Sequence, residues 1–198
     1  MIPHESLQEA ATVIRQGGIV AFPTETYYGL AVDPFNEAAL ARLYEVKQRP
    51  EHKPILTLIS RRDQLLQLVE SVPACLLPLM DLWPAPLTLV FPARRGLSSL
   101  LTAGTNTIGV RISPHPLAQQ FVGLCRQPLT ATSANLSGSP PATTAAEVAD
   151  QFADSLDCII DGGTTSGGAG STLVGCQGRR LVLLRRGVLG PEDLPCTF

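Results

Sequence analysis

The 198-residue sequence lacks the motifs that identify several common classes of enzyme. Its three histidines, His4, His52 and His115, form no pair at metal-binding spacing, which argues against a histidine-based zinc site. There is no Gly-x-Ser-x-Gly motif of the kind that presents a hydrolytic serine. The Gly-x-x-x-x-Gly-Lys and Gly-x-Gly-x-x-Gly motifs are also missing. Any nucleotide site must therefore be built in another way.

The cysteines are few, odd in number and widely spread. None forms a Cys-x-x-Cys pair, which argues against a disulfide framework or a structural zinc site. The N-terminus has no basic segment followed by an apolar stretch, and no apolar run reaches the 18 or so residues of a membrane span. We therefore predict a cytoplasmic protein with reduced cysteines and no membrane association. The five cysteines are Cys75, Cys125, Cys158, Cys176 and Cys196.

Positive charge is neither abundant nor evenly divided between residue types. With 15 basic and 17 acidic residues the net charge is -2, so no overall positive field attracts nucleic acid or anionic membranes, and an anion site must be local. Only Lys47 and Lys53 are lysines. Two interpretations stay open: a bias towards arginine, or a need for a compact point charge at that place.

Length and composition favour one domain of the α/β class. A chain of 198 residues with 44% hydrophobic composition can bury one sizeable core. Short apolar runs alternate with segments of helical periodicity, as in α/β proteins. Strands are predicted at 19–22, 55–59, 87–91, 108–112, 129–132, 171–174 and 181–184. Helices are predicted from the capping box Ser6-x-x-Glu9, from Asn36 to Arg49, after Ser60, over 117–124 and from Thr144.

Polar loops follow two of the predicted strands. Thr24, Glu25 and Thr26 come after the strand at 19–22, and the segment 132–138 follows the strand at 129–132. Ligands bind at such strand ends in open α/β sheets. Turn formation alone explains the threonines equally well. The glycine-rich stretch 162–170 is predicted to be a further loop. In the functional interpretation, this loop contacts phosphate or closes over a ligand.

The chemistry that recurs is a cation beside a hydroxyl. Lys47 and Arg49 lie at the predicted end of a helix, where favourable interaction with the helix dipole is the simpler explanation. Ser133 and Asn135 offer hydroxyl and amide groups to phosphate or ribose. Glu25 is the one acidic residue in these motif loops, so paired-carboxylate chemistry is not indicated. Fixed cations and donors suit nucleotidyl transfer, in which charge develops on phosphate oxygens.

Six motifs in this order resemble those of the YrdC/TsaC family over residues 6–190. They are Phe-Pro-Thr-Glu-Thr-x-Tyr-Gly-Leu at 22–30, Lys47-Gln48-Arg49-Pro50, Trp83-Pro84-x-Pro86-Leu87-Thr88, Val110-Arg111, Ser133-Ala134-Asn135-Leu136-Ser137-Gly138 and Ser171-Thr172. The resemblance implies a single catalytic domain over 6–190 with a tail at 191–198. It also implies a twisted, open mixed sheet flanked by helices, around a deep, concave, basic cavity.

The family's activity is the synthesis of L-threonylcarbamoyladenylate for the threonylcarbamoyl modification of tRNA. The resemblance implies that threonine takes up bicarbonate and that the new carboxylate attacks the α-phosphorus of ATP, with Mg²⁺ on the phosphates. It also implies ATP, L-threonine and bicarbonate as substrates, and tRNA and the threonylcarbamoyl transferase complex as further partners. No residue is assigned as a general base.

The resemblance also assigns roles to individual positions. Thr26 and Arg111 are expected to bind threonine, the guanidinium holding its carboxylate with two hydrogen bonds. The expected catalytic residues are Lys47, Arg49, Ser133 and Asn135. The expected ATP-binding residues are Arg49, Lys53, Thr107, Ala131, Ser133, Asn135, Ser171 and Arg185.

Some positions depart from the family pattern. Leu58 replaces a frequent histidine, Lys53 an asparagine and Gly175 an aspartate, which bears on threonine selectivity. The chain matches the short form of the family, so a lid has to come from elsewhere, such as the segment 162–170. The alternatives are an RNA-binding protein of the same fold, a relative with weak or different adenylation activity, and a carbamoyl-transferring module, for which the zinc-binding cysteine pairs are missing.

Overall fold

The structure, a computed structural model, describes residues 4–195. Its helices and strands alternate along the chain, which confirms the α/β class. The helices are α1 His4–Arg15, α2 Glu37–Lys47, α3 Leu77–Met80, α4 Ser99–Thr102, α5 Pro116–Cys125 and α6 Ala145–Phe152. The strands are β1 Val20–Pro23, β2 Tyr28–Ala31, β3 Thr57–Leu58, β4 Leu87–Pro92, β5 Thr107–Arg111, β6 Leu129–Thr130, β7 Thr132–Ser133, β8 Cys158–Ile159, β9 Thr172–Gln177 and β10 Arg180–Arg185.

The strands of the described residues form two mixed sheets, where one had been expected. The smaller sheet has the order β7-β2-β1-β8 and the larger has the order β10-β9-β4-β5-β3-β6. β1 pairs antiparallel with β2 and parallel with β8. In the larger sheet, β4 is antiparallel to β5 and parallel to β9. Strands of two to six residues carry no sequence signal for which partner they choose, so the division into two sheets could not be anticipated.

Two apolar clusters hold these layers together. In one, α1 and α5 pack against each other and against β1, with the rings of Phe22 and Phe121 5.4 Å apart. The other cluster lies around β4, β5 and α2 and includes Leu43, Leu89 and Val110, which are all fully buried. These two clusters fix the positions of the strand ends that bear polar side chains.

A β-hairpin stands where the sequence indicated a loop following a single strand. β1 and β2 pair from Val20 with Ala31 to Pro23 with Tyr28, and the turn between them is only Thr24–Tyr27. Within this turn, the Thr24 amide donates to the Tyr27 carbonyl at 3.1 Å, and the Thr24 hydroxyl donates to the same oxygen at 2.7 Å. The polar motif is therefore a tight turn with a fixed backbone.

Helix boundaries agree with the sequence in the middle of the chain and differ near its start. α2 starts after Asn36, as predicted, and the Asn36 side chain caps it by accepting from the Ala39 amide. At the start of α6 the Glu147 amide donates to the Thr144 hydroxyl, which confirms the predicted Thr144 cap. α1 begins at His4, so Ser6 lies inside the helix and the predicted capping box is wrong. The segment after Ser60 is a 3-10 helix over Arg62–Gln67. Among residues 4–195 no helix combines the length and apolarity needed to cross a membrane.

The expectation of reduced cysteines is contradicted at one pair. Cys75 and Cys176 form a disulfide that joins positions 101 residues apart in sequence. Cys75 lies in the 3-10 helix Ala74–Leu76 and Cys176 lies in β9, two elements that pack together. Such a long-range pairing has no signature in cysteine spacing. Cys125 and Cys158 are free thiols, and Cys196 lies outside the described residues.

Candidate active site

A cavity of about 470 Å³ lies between the hairpin turn of the smaller sheet and the polar strand ends of the larger sheet. Hydroxyls and guanidinium groups dominate its polar lining, and none of its described lining residues is acidic. The lining residues are Thr24, Thr26, Tyr27, Tyr28, Gly29, Arg49, Pro54, Leu56, Arg111, Ala131, Thr132, Ser133, Pro141, Gly168, Ala169, Gly170, Ser171, Leu173 and Arg185. This composition suits an anionic ligand with a small apolar part.

The hairpin turn supplies hydroxyls on one side and a carboxylate on the other. Thr24 and Thr26 line the cavity and are nearly fully buried, with their hydroxyl oxygens 3.4 Å apart. Glu25 stands between them in sequence and is absent from the lining; its side chain instead reaches Arg111 and Ser113. The Thr24 hydroxyl is committed to the turn, where it donates to the Tyr27 carbonyl, so the turn presents the Thr26 hydroxyl to a ligand and directs its one charge into the surrounding protein.

Arg111, at the end of β5, is a buried cation with one ionic partner. Its Nη1 donates to Glu25, whose second oxygen accepts from the Ser113 hydroxyl at 2.5 Å. Burial lowers the pKa of Arg111, whereas the charge of Glu25 and its hydrogen bond raise it. The guanidinium lines the cavity, so its remaining N–H groups are available to a ligand there.

The end of α2 directs Lys47 and Arg49 to different places. The helix stops at Lys47 because Gln48 adopts the left-handed conformation, with φ 50°. The amides of Gln48 and Arg49 donate back to Glu45 and Tyr44, which is the Schellman pattern. Arg49 then enters the cavity lining, where Nη2 donates to the Pro54 carbonyl at 2.8 Å. Burial of the guanidinium lowers the pKa of Arg49.

Lys47 lies behind the cavity wall. It is 1% exposed, and its ammonium donates to the carbonyl oxygens of Ser133 and Asn135, the latter at 2.6 Å. The Ser137 amide donates to the Lys47 carbonyl at 2.9 Å. Desolvation, and then the charge of Arg49, lower the pKa of Lys47 to about 7. Lys47 therefore ties the end of α2 to the loop that follows β7.

Asn135 also holds this loop from within. Its Oδ1 accepts from the Ser133 hydroxyl at 2.5 Å, and its amide nitrogen donates to the carbonyls of Leu136 and Ser139. Ser133 itself is exposed and lines the cavity. The polar groups of Asn135 are thus committed to the loop, and the Ser133 hydroxyl is the group that the loop presents.

The hairpin of β9 and β10 completes the far wall. The Arg185 guanidinium donates to the Ser171 carbonyl at 2.8 Å and to the Ser171 hydroxyl at 3.2 Å. That hydroxyl is also 2.8 Å from the Thr88 hydroxyl in β4. Partial burial, and then the charge of Arg111, lower the pKa of Arg185, so the two guanidinium groups are close enough to repel.

The glycine-rich segment 161–170 connects the two sheets and covers one side of the cavity. It is fastened at successive points: the Tyr28 hydroxyl donates to the Gly163 carbonyl, the Gly167 amide to the Thr26 carbonyl, and the Tyr27 hydroxyl to the Gly168 carbonyl. Gly167 and Gly168 have positive φ angles, which a side chain would disfavour. In this structure the segment rests against the hairpin turn.

The structure brings most of the predicted site residues to one cavity. Leu58 is buried and does not line it, Lys53 is exposed, and Lys47 and Asn135 support its wall. Thr107 lies instead at a second hollow of about 540 Å³ beside β9 and β10. The predicted residues that line the cavity are Thr26, Arg49, Arg111, Ala131, Ser133, Ser171 and Arg185.

Sequence reasoning missed several groups around the cavity. Thr24 was quoted only as part of a motif, and Tyr27 stood at the motif position left open to any residue. Their position in a polar turn between two apolar runs was the available signal. Leu56 and Leu173 provide the apolar lining, and nothing separates them in sequence from leucines of the core. The role of Glu25 depends on a partner 86 residues away.

The described residues do not form a dedicated metal site. No group of three His, Cys, Asp or Glu side chains comes together within residues 4–195, and the cavity lining offers hydroxyls and guanidinium groups rather than carboxylates. This donor set does not match the carboxylate-rich sites that bind Mg²⁺ by protein side chains alone.

Comparison with known proteins gives consistent results. A family model named for Sua5, YciO and YrdC, with the description "Telomere recombination", matches residues 12–187. The threonylcarbamoyl-AMP synthase of Idiomarina loihiensis is 44% identical over 172 residues, which cover 84% of this chain and 90% of that protein. The threonylcarbamoyl-AMP synthase of Pyrococcus abyssi is 40% identical over 186 residues, which cover 93% of this chain and 55% of that protein. The chain thus spans about half the length of the latter relative.

Solved structures of related proteins have the same fold as this chain. The crystal structure of P. abyssi Sua5 complexed with L-threonine superposes with a TM-score of 0.93 and 39% identity, over 98% of this chain and 57% of that one. E. coli YciO superposes with a TM-score of 0.85 at 22% identity, which supports the fold alone. The matched motifs, the two-sheet fold and the arginine-lined cavity lead to one conclusion: this chain belongs to the Sua5/YciO/YrdC family.

Proposed function

We propose that this chain synthesises threonylcarbamoyl-AMP from L-threonine, bicarbonate and ATP, with release of pyrophosphate. The observation that carries the proposal is the convergence of Arg49, Arg111 and Arg185 with threonine and serine hydroxyls on one cavity whose described lining has no carboxylate. Its volume of about 470 Å³ lies within the range of small-molecule sites. Relatives named threonylcarbamoyl-AMP synthase cover 84% and 93% of the chain, and a relative solved with L-threonine has the same fold.

The polar groups divide naturally between two ligands. Arg111 and Thr26, on the side of the hairpin turn, would bind the threonine, with the guanidinium on its carboxylate. Arg49, Ser133, Ser171 and Arg185 would contact the nucleotide, with the cations on its phosphates. Arg111 and Arg185 line the same cavity, so the two ligands would meet within it, between these two residues.

The reaction then needs positioning and charge stabilisation rather than a covalent enzyme intermediate. Threonine's amine and bicarbonate give the carbamate and water, and a carbamate oxygen attacks the α-phosphorus as the bond to pyrophosphate breaks. Negative charge develops on the phosphate oxygens, where fixed guanidinium groups and hydroxyls stabilise it. The described lining contains no histidine, lysine, aspartate or glutamate that could act as a general base. Lys47 and Asn135 would act through the loop that presents Ser133.

Mg²⁺ is proposed to enter as the counter-ion of ATP. Since the described lining offers no carboxylate, the ion would be held mainly by phosphate oxygens and water, as is common for Mg²⁺ bound with nucleotides. The cytoplasmic location, and tRNA with the threonylcarbamoyl transferase complex as users of the product, belong to the same proposal.

A substrate panel tests this function. Purified protein is incubated with Mg·ATP, bicarbonate and threonine, serine, valine or allo-threonine, and products are identified by mass together with pyrophosphate release. Threonylcarbamoyl-AMP should form with threonine and disappear when bicarbonate is omitted. Valine, which has the same shape but lacks the hydroxyl, is the matched control for recognition of that group. Equal turnover of all four amino acids, or salt-dependent RNA binding without turnover, would overturn the proposal.

A further inference from the structure

Glu25 is placed differently from the two threonines that flank it. The side chains of Thr24 and Thr26 line the cavity, whereas Glu25 is absent from the lining although it lies in the same turn. Its side chain is only 12% exposed. A carboxylate buried to this extent needs compensating partners, because an unpaired buried charge is strongly unfavourable.

Both oxygens of Glu25 have such partners. One oxygen pairs with Nη1 of Arg111, and the other accepts from the Ser113 hydroxyl at 2.5 Å. Ser113 is itself buried, and it is anchored because its hydroxyl accepts from the His115 amide at 3.2 Å and its carbonyl accepts from the Gln119 side chain at 2.6 Å. Both oxygens of Glu25 therefore face protein groups, and the residue does not line the cavity in which a ligand would lie.

Arg111 depends on Glu25 in turn. Among residues 4–195, Glu25 is the one hydrogen-bond partner of the Arg111 side chain, which is 8% exposed. Arg111 and Arg185 are both cationic and close enough to interact unfavourably. Without an opposing negative charge, this repulsion and the cost of burial would displace the Arg111 guanidinium from its place in the lining.

We propose that Glu25 is a positioning residue that fixes the Arg111 guanidinium from behind the cavity and thereby determines selectivity for the carboxylate of the amino-acid substrate. The inference rests on the proposed function, because it takes Arg111 as the group that binds this carboxylate. Nη1 is held by Glu25, so the other N–H groups form the edge that the ligand meets. A carboxylate accepts two parallel hydrogen bonds from such a fixed edge, whereas the corresponding amide has one acceptor oxygen and cannot.

The test compares threonine with threonine amide, which has the same side chain and amine but no carboxylate. Dissociation constants for both are measured by calorimetry on the wild type and on Glu25→Gln, which keeps the size of the side chain and removes its charge. We expect the preference of the wild type for threonine to fall about 10- to 100-fold in Glu25→Gln, as a charge-assisted contact is weakened. Asp81→Asn, which breaks the exposed ion pair with Arg62, is the matched control and should leave the preference unchanged.

Steady-state kinetics and a double variant locate the effect. KM for threonine should rise about 10- to 100-fold in Glu25→Gln while KM for ATP changes less than about threefold. In a protein that already carries Arg111→Lys, Glu25→Gln should change KM for threonine little further, because the guanidinium that Glu25 positions is already absent. Ser113→Ala should give a smaller change of the same kind, and it replaces Glu25→Gln if that variant does not fold.

An unchanged preference for threonine over its amide in both variants would overturn the inference, as would an equal rise of both KM values. A lower KM for threonine in Glu25→Gln would also overturn it, since the Glu25 carboxylate would then compete with the threonine carboxylate for Arg111 instead of positioning Arg111 for it. The proposed function is judged separately, by whether the wild type forms threonylcarbamoyl-AMP. The binding comparison needs no turnover, so the two failures can be told apart.

Discussion

Lys47 and Arg49 stand two positions apart in the sequence, yet they have different surroundings. Arg49 lines the cavity, and Lys47 is buried against the carbonyls of Ser133 and Asn135. The sequence predicted both as cations near a ligand, because the motif gives identity and spacing. Which of them faces the cavity depends on the left-handed conformation of Gln48, which reverses the chain direction between them.

Arg49→Ala tests the cavity-facing cation. The variant should keep its fold, because the guanidinium bonds chiefly to carbonyls of the nearby Lys53 and Pro54. Turnover should fall by about two to three orders of magnitude, as expected when one donor to a developing phosphate charge is removed. Pyrophosphate release and circular dichroism check the two expectations, with Arg49→Lys as the charge-preserving control. Wild-type turnover in the alanine variant would contradict the proposed site.

Lys47 should make the stability of the protein depend on pH. Burial lowers its pKa in the folded protein to about 7, compared with 10.5 for an ordinary lysine. Between these values the unfolded chain binds a proton that the folded protein does not, so the contribution of Lys47 to stability rises with pH. Below about pH 7 the ammonium is charged in both states and the cost of burying it is present in full.

Urea denaturation of the wild type and of Lys47→Met at pH 7 and pH 9 measures this effect. The wild type should gain about 1 to 2 kcal/mol relative to the variant over this range, since each pH unit contributes at most about 1.4 kcal/mol. Lys47→Met is the control because it keeps the stem and has no titrating group. The prediction is contradicted if the free energy of unfolding of the wild type, relative to that of Lys47→Met, stays constant or falls between pH 7 and pH 9.

At the scale of the elements, predictions succeeded where a local signal exists. The helix starting at Asn36, the Thr144 cap and the apolar runs of β1, β4 and β5 were all predicted from a few neighbouring residues. β2 was missed because its polar turn looked like the beginning of a longer loop. β8 has two residues and exists only because β1 lies beside it. The segment 161–170 was predicted as a loop, but its fastening to Tyr27 and Tyr28 depends on long-range contacts.

The end of α2 offers a prediction about backbone conformation. Gln48 has φ 50° and ψ 42°, which a residue with a side chain adopts at some cost and glycine adopts freely. Gln48→Gly should therefore leave the folded protein as stable as the wild type or raise the free energy of unfolding by up to about 1 kcal/mol. Urea denaturation measures the change, and Glu45→Gly, inside the helix, is the control that should destabilise by about 1 kcal/mol. Equal destabilisation by both substitutions would contradict this account.

At the scale of the whole molecule, the disulfide between Cys75 and Cys176 is the feature least visible in the sequence. Five scattered cysteines indicated reduced thiols, whereas packing of the segment Ala74–Leu76 against β9 brings two of them together. Cytoplasmic disulfides are rare, so finding this bond in the protein taken from cells would argue against the predicted cytoplasmic location.

Peptide mapping without reductant tests the bond. The peptides that contain Cys75 and Cys176 should be recovered as a linked pair, while Cys158 is alkylated in the folded protein. Reduction should lower the free energy of unfolding by about 2 to 4 kcal/mol, because the bond closes a long loop in the unfolded chain. The double variant Cys75→Ser/Cys176→Ser is the control and should show no response to reductant. Free alkylation of both cysteines in the untreated protein would contradict the pairing.

The cavity has a further consequence because neither sheet contains it alone. Thr26 and Ser133 come with the smaller sheet, and Arg111, Ser171 and Arg185 come with the larger sheet. Within the described residues, the pair of Glu25 and Arg111 is the one salt bridge that joins an element of each sheet, across 86 residues. During refolding, such distant segments meet late. Ligand affinity should consequently return in each molecule only when its two sheets have packed together, so that no half-assembled form of the chain binds its substrates.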